Sequence, residues 1–437
     1  MKRFLPAFAL VLGLFAVQLG ASSYVVTPST ILADPTHDLQ ADIDFISLHG
    51  GGTLSLGAGT YRLTSGLVIP TGVNLVGSGE SSTVITCNGI EAMKYTDMVT
   101  ITGNDCKVSD LLLLGYGNGA GAGPYGTTQA GIRVASLVGS SGVIDGIVIE
   151  RVVIAYTLRE AIAFGAVPMA HGSGRPTSLS EGSTLVINSV IRDCRFTRTE
   201  AWAYDAELYL APGCTTIRVE DTYFQLLCSP AAMMKGVRGI TFNNCSFENT
   251  YTGAYAVPFI VLGGQNSNIT ANACFFENHG TAATENLVSP FVSCAARNIG
   301  VSLRDCTFWR DDTPGAFDTT PVTVDSITTT AGSYCGVIGT TGTRTGSGPY
   351  VYFATKALVS GCTVFSVNAA PAAATCVIGN AATSDIPDLV VIENSFCGSQ
   401  VLGSDTTSVE TSLVRMSGCV KVGIIGDHIK TPTLGTI

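Results

Sequence analysis

The chain has 437 residues, of which 46% are hydrophobic, 13% are charged and 50 are glycine. A formal net charge of -10 excludes the basic face that nucleic-acid phosphates or anionic membranes require. The length exceeds one compact two-layer domain, and 17 prolines among the 50 glycines leave little room for long helices, which indicates an extended, strand-rich protein.

At the N-terminus, Lys2 and Arg3 precede an apolar run over 4–21 that exits through Gly20, Ala21, Ser22 and Ser23. A charged start, an apolar centre and a small-residue exit form a secretory signal peptide. Residues 1–23 therefore read as a signal peptide or, as the alternative, a hydrophobic attachment segment of a viral structural protein. The expected location is secreted or cell-surface, with the virion as the alternative. Residues 24–49 read as an N-terminal cap. Leu39, Ile43 and Ile46 recur at i, i+4 and i+7, which predicts a short amphipathic helix starting near 36–38. Such a helix can plug the open end of a following stack.

Residues 50–437 read as that stack. Short apolar runs at 52–56, 59–61, 67–70 and 73–76 are divided by glycine corners. Further along, the segments 191–196, 219–224, 242–247, 272–276, 303–308, 359–364, 391–396 and 416–421 share one frame. An apolar strand meets a polar corner, then Cys, Asn or Thr, and usually an aromatic or aliphatic residue. The corners at 194, 222, 245, 274, 306, 362, 394 and 419 are 28, 23, 29, 32, 56, 32 and 25 apart, with 56 equal to two turns of 28. A period near 28, with two or three short strands in each, means units that bury their apolar faces only by stacking. Strands stacked about 4.8 Å apart match a parallel β-helix of about a dozen coils, roughly 60 Å long. Cys194, Cys245, Cys274, Cys306, Cys362 and Cys419 then occupy one inward column in which Thr222 and Asn394 stand in. A disulfide between adjacent coils stays open, because about 4.8 Å lies within the permitted Cα separation. No CxxC or Cys/His spacing marks a metal site, and no cofactor motif is present.

Gly50-Gly51-Gly52-Thr53, Gly59-Thr60-Tyr61, Ile69-Pro70-Thr71-Gly72-Val73 and Gly77-Ser78-Gly79 resemble, in order and spacing, the opening coils of the pectin-lyase-like superfamily. That group is shared by polysaccharide-processing enzymes and phage tailspikes. The resemblance implies a right-handed, single-stranded parallel β-helix with carbohydrate bound along one outer sheet, and it implies that a homotrimer is one expected state. Asp311 and Asp312 are laid out similarly to the paired aspartates of polygalacturonase-like members. The Gly-His-Gly and Arg-x-Lys elements that should follow are missing, and Asn278-His279-Gly280 comes earlier instead.

Glycoside hydrolysis needs one carboxyl group to protonate the leaving oxygen and another to activate water or attack. The stretch 200–209 offers Glu200, Asp205 and Glu207. If 205–210 is a strand, Asp205, Glu207 and Tyr209 share an outward face while Ala206, Leu208 and Leu210 face inward. Alternate strand positions lie about 6.6 Å apart, near the roughly 6.5–9.5 Å of inverting enzymes. Trp202, Tyr204 and Tyr209 are candidate sugar-stacking rings. The echo of Glu160-Ala-Ile-Ala-Phe164 in Glu200-Ala-Trp-Ala-Tyr204 suggests two glutamates on neighbouring coils, raising each other's proton affinity as a general acid requires. The plainer reading is that outward acids keep a glycine-rich rod soluble. Lys235 and Arg238 are the nearby cations that lyase chemistry would need. The expected partner is a polysaccharide or surface glycan, either cleaved by a hydrolase or lyase or only bound by an adhesin or tailspike.

Overall fold

The computed structural model describes residues 22–26 and 38–278, except 88–89, 91–92, 94–95, 116–129, 137–141, 158–159, 166–183, 198–205, 226–229, 250–258 and 263–265. From 292 to 425 it describes the strands and Cys306. The fold is a right-handed parallel β-helix. Every described strand pairing is parallel, and the strands form one 25-stranded and one 12-stranded sheet. A representative coil runs from Leu208–Leu210 in the smaller sheet to Thr215–Glu220 and then Tyr223–Gln225 in the larger. Ala232–Met234 opens the next coil, in register with Leu208–Leu210. The twelve strands of the smaller sheet give the expected dozen coils.

The predicted cap helix spans Leu39–Leu48. Asp38 is its N-cap, its side chain accepting from the Gln40 amide at 2.9 Å, which satisfies one of the donors a helix start leaves open. Leu39, Ile43 and Ile46 are buried against the first coils. The strand Ser22–Val26 pairs with Gly52–Leu56, so pairing begins two residues inside the segment read as 1–23.

One backbone device makes the corner between the two legs of the larger sheet. Asp110, Arg151, Asp193, Asp221, Asn244 and Ala273 each adopt a left-handed conformation, with φ between 48 and 61°. Asp and Asn tolerate this region better than most residues, which explains the polar corner in the repeat. The next residue points inward: Leu111, Val152, Cys194, Thr222, Cys245 and Cys274 are all buried, as is Cys306 further along the chain. Cys and Thr do more than fill this space. Cys194, Thr222, Cys245 and Cys274 donate to the carbonyl two residues upstream, at 3.2, 2.9, 3.4 and 3.3 Å. The Glu220, Asn243 and Asn272 carbonyls also accept the backbone amides of Asp193, Asp221 and Asn244 on the preceding coils, so the small side chain carrying S–H or O–H fills the second acceptor site of the same oxygen. Cys87, Cys106, Cys194, Cys214, Cys245, Cys274 and Cys306 are free thiols. Burial pushes the Cys194 thiol up to about 12.

Behind this column runs an aromatic one. Phe196, Phe224, Phe247, Phe276 and Phe308 are in register on successive coils. The Phe247 ring stacks on Phe224 at 4.8 Å and on Phe276 at 4.7 Å, with interplanar angles of 13° and 7°.

Two corner assignments made from sequence shift. The long gap between 306 and 362 does hold an extra coil, with strands at Cys335–Ile338 and Thr341–Arg344. Met416, however, belongs to the smaller sheet, in register with Ile378, and the long leg of that coil is Val422–Ile425. Cys419 thus follows a strand of the smaller sheet, as Cys214 follows Leu210, rather than the long leg. The frame at 391–396 is one residue out, because Ile392 shares the column of Val359 and Phe396 that of Thr363. Cys362, Asn394 and Cys419 themselves lie outside the described residues, as do Asp311 and Asp312.

Candidate functional site

In the described coils up to Ile260–Leu262, the smaller sheet alternates: two residues flank each outward position and face the core, as Ile132 and Val134 flank Arg133 and as Leu208 and Leu210 flank Tyr209. The outward column reads Val68, Thr100, Arg133, Ala163, Tyr209, Met233 and Val261 on successive coils. Arg133 stands out by charge and by burial, with 1% of its surface exposed. It lies in Ala130–Val134, where Ile132 and Val134 fill the core. Gly131 in the same strand has no room for a side chain: a Cβ there would lie 2.5 Å from Ile154 Cγ2 and 2.8 Å from the Ala161 carbonyl oxygen.

Three consecutive coils converge on this arginine. Asp97, Ala130 and Glu160 occupy equivalent places, two residues ahead of the paired residues Val99, Ile132 and Ile162. Asp97 Oδ2 accepts from Arg133 Nε at 2.6 Å and Oδ1 accepts from Nη2 at 3.1 Å, a two-point fork. Asp97 Oδ1 also accepts from the Ala130 amide at 2.9 Å. The Arg133 Nη2 group makes a longer contact, 3.5 Å, with Glu160 Oε2. Burial works against the guanidinium charge, yet Asp97 and Glu160 together hold its pKa above the ordinary arginine value.

The expected stack of Glu160 on Glu200 involves a residue outside the described ones; the described acid on the coil after Glu160 is Glu207. The Ile162 amide donates to the Glu207 carbonyl at 2.9 Å, and the Glu207 amide donates to the Pro230 carbonyl at 3.0 Å. Glu207 is therefore the acid across the ladder from the Glu160 strand. It is also fully buried, not on an exposed face. The strand is only Leu208–Leu210, so Ala206 and Glu207 sit at its corner, where alternation no longer applies. Ala206, expected inward, packs with the outward-column residues Ala163, Tyr209 and Met233 and with Ala211. Leu208 and Leu210 face the core as expected. Tyr209 faces outward but is covered, at 8% exposure. Glu200, Trp202, Tyr204 and Asp205 lie outside the described residues.

Asp97 and Arg133 escaped the sequence reading. A signal for them exists: an acid sits two residues ahead of the paired core residues Val99 and Ile162, and the coil between them carries an arginine between the inward residues Ile132 and Val134.

A second charged network lies on the long leg. Glu150, buried, accepts from Arg151 Nη2 and Arg192 Nε, each at 2.7 Å, and pairs with Lys107. Arg151 also forks onto Asp110 at 2.6 and 2.9 Å. Burial works to raise the Glu150 carboxyl, but the three cations outweigh it and hold it down at about 2. The partners Arg151 and Arg192 are about half exposed, and acids and bases alternate, so this network reads as a brace between coils.

No family model and no curated protein sequence matches the chain. Among solved structures, it is similar to DFA-IIIase from Arthrobacter chlorophenolicus A6 in complex with GF2. The identity is 12%, the TM-score 0.52, and the match covers 86% of this chain and 95% of that one. It is also similar to ORF18 of Geobacillus virus E2, with 11% identity, a TM-score of 0.47 and 88% of this chain covered; the chain spans 63% of that protein. The tailspike protein of E. coli bacteriophage HK620, in complex with a pentasaccharide, matches with 15% identity and a TM-score of 0.41, covering 90% of this chain and 75% of that one. At these identities the likeness is one of architecture. Among the described residues, no helix is long and apolar enough to cross a membrane.

Proposed function

We propose that the protein is an exported or virion-borne β-helix that binds a polysaccharide against the outer face of its smaller sheet and cleaves it with paired carboxyl groups. The observation that carries this reading is the Asp97–Arg133–Glu160 chain, built across three coils, with Glu207 on the next coil across the ladder from the Glu160 strand. Glu160, in contact with the fixed cation Arg133, and Glu207, on the next coil, would supply what hydrolysis asks for: one group to give a proton, one to take it, and a positive charge to orient the anion. In this reading Asp205 and Glu200 extend the acid set and Trp202 and Tyr204 are the sugar-stacking rings, while Tyr209, covered among Ala163, Ala206 and Met233, packs beneath the site. Arg133 is also the cation that an elimination reaction needs beside a developing enolate.

The test is release of new reducing ends or unsaturated products from a panel of neutral and acidic polysaccharides. Glu160→Gln, Glu207→Gln and Asp205→Asn should each lower activity at least a hundredfold with the fold retained. Full activity in all three removes these residues from the site. A second reading, glycan binding without cleavage, is favoured by the burial of both Glu160 and Glu207; it predicts saturable binding to a panel member with no product formed.

A further inference from the structure

We infer that Asp97 and Arg133 are a positioning pair that holds Glu160 as the anionic member of the site, so that Glu160 takes up a proton or attacks, and the proton donor is another group. The inference deepens the reading above and rests on it only for the chemical step; the charge arrangement stands by itself.

The first argument is what the fold requires at this position. The same outward column carries Val68, Thr100, Ala163 and Val261 on other coils. An arginine is therefore not needed for the coil to close. Placing one there takes three charges out of water, and apolar replacements of such clusters are often neutral or stabilising. Stability alone does not account for this cluster.

The second argument is how the donors are shared. Asp97 takes both prongs of the guanidinium and is tied to the Ala130 amide, so it fixes the plane and rotation of Arg133. The contact from Nη2 to Glu160 is the longer one. Asp97, Arg133 and Glu160 sum to one negative charge, and the carboxylate with the weaker share of the cation is Glu160. A group held this way is poised as a base or nucleophile, since a fixed cation beside it opposes protonation. Among the described residues, its charged neighbours are Arg133 at 3.5 Å and, through it, Asp97 from the two preceding coils, and Glu207 lies on the following coil, its backbone carbonyl accepting from the Ile162 amide. Asp97 does not need to touch substrate; it acts through Arg133.

The experiment uses the full chain and two readouts. In carbon-13 NMR of protein labelled at the glutamate side-chain carboxyl, with Glu160→Gln as the assignment control, the Glu160 signal should stay in its carboxylate position to lower pH in the unaltered protein than in Arg133→Gln. Asp97→Asn, nearly the same shape, should move it the same way by less, and it replaces Arg133→Gln if that variant does not fold. On a cleaved polysaccharide, the acidic limb of the kcat/KM profile should move to higher pH in Arg133→Gln, with kcat at least tenfold lower. Arg133→Lys should restore the limb while leaving kcat reduced, because it keeps the charge and loses the fork. A Glu160 signal that titrates identically in all folded variants overturns the inference. If the signal shifts as stated and no polysaccharide is cleaved, the pair stands and the catalytic reading falls.

Discussion

Phe247 is the middle ring of the aromatic column, and its replacement by alanine tests whether that column holds the rod together. The ring is fully buried, stacks on both neighbours at under 5 Å and meets Phe242 and Phe259 at 6.0 and 6.2 Å. Truncating a buried phenylalanine costs about 3–5 kcal/mol, and each lost ring pair adds about 0.5–1.5 kcal/mol beyond area when it is not already counted. Two parallel stacks place Phe247→Ala at the upper end, about 5 kcal/mol. Phe196 has one edge-on partner in the column, at 5.1 Å and 74°, so Phe196→Ala belongs at the lower end, about 3 kcal/mol. Phe247→Leu keeps most of the volume and should cost under about 2 kcal/mol. Urea unfolding followed by far-UV circular dichroism reads all three as shifts of the midpoint at a constant slope. A loss below about 1 kcal/mol for Phe247→Ala, or a larger loss at Phe196 than at Phe247, refutes the argument.

Glu150→Gln should destabilise the rod by about 1–3 kcal/mol at neutral pH, because it removes a charged acceptor from three cations. The folded carboxyl sits at about 2, below the unfolded value of about 4.3. Its contribution is therefore present above about pH 5 and lost as the pH falls toward about 2, and the gap between variant and unaltered protein should close over that window in acid titrations. The thiols of Cys194, Cys214 and Cys274 are buried and pushed up to about 12, so a disulfide-forming thiol reagent should leave them untouched at about pH 8 until denaturant is added. Prompt labelling of the native chain contradicts this. Cys245→Ser should be tolerated better than Cys245→Leu, since a hydroxyl can take over the donation to the Asn243 carbonyl as Thr222 does for Glu220; thermal melts order the two. Asp38→Ala should cost about 1 kcal/mol through the lost N-cap, visible as a lower melting temperature.

The architecture was legible because the corner between the two legs of the larger sheet imposes local chemistry on every coil. A left-handed residue favours Asp or Asn, and the next residue must point inward, apolar at Leu111 and Val152 and a small donor in the Asp-Cys and Asp-Thr signature at 193–194 and 221–222. Legibility failed where another corner asks for a similar residue. Cys214 is buried after a strand of the smaller sheet, so Ser-Gly-Cys at 417–419 looked like a repeat of the wrong corner. The site was only partly legible for a related reason. Glu160 lies at the candidate site, but Glu207 was assigned an outward face by alternation, and alternation holds only inside the three-residue strand Leu208–Leu210. Asp97 and Arg133 are 36 residues apart in sequence, and coil registration alone brings them together.

The corner carrying the left-handed residue leaves only two residues between strands, as from Arg192 to Arg195 and from Glu220 to Tyr223. The passage from the third leg back to the smaller sheet varies in length, running from Thr197 to Leu208 in one coil, from Gln225 to Ala232 in the next and from Asn249 to Ile260 after that. Insertions and deletions can accumulate there without shifting any column out of step. That passage leads directly into the strands beside Glu160 and Glu207, so the segment of the coil freest to change in length is also the one bordering the candidate site, and changes there need not disturb the scaffold.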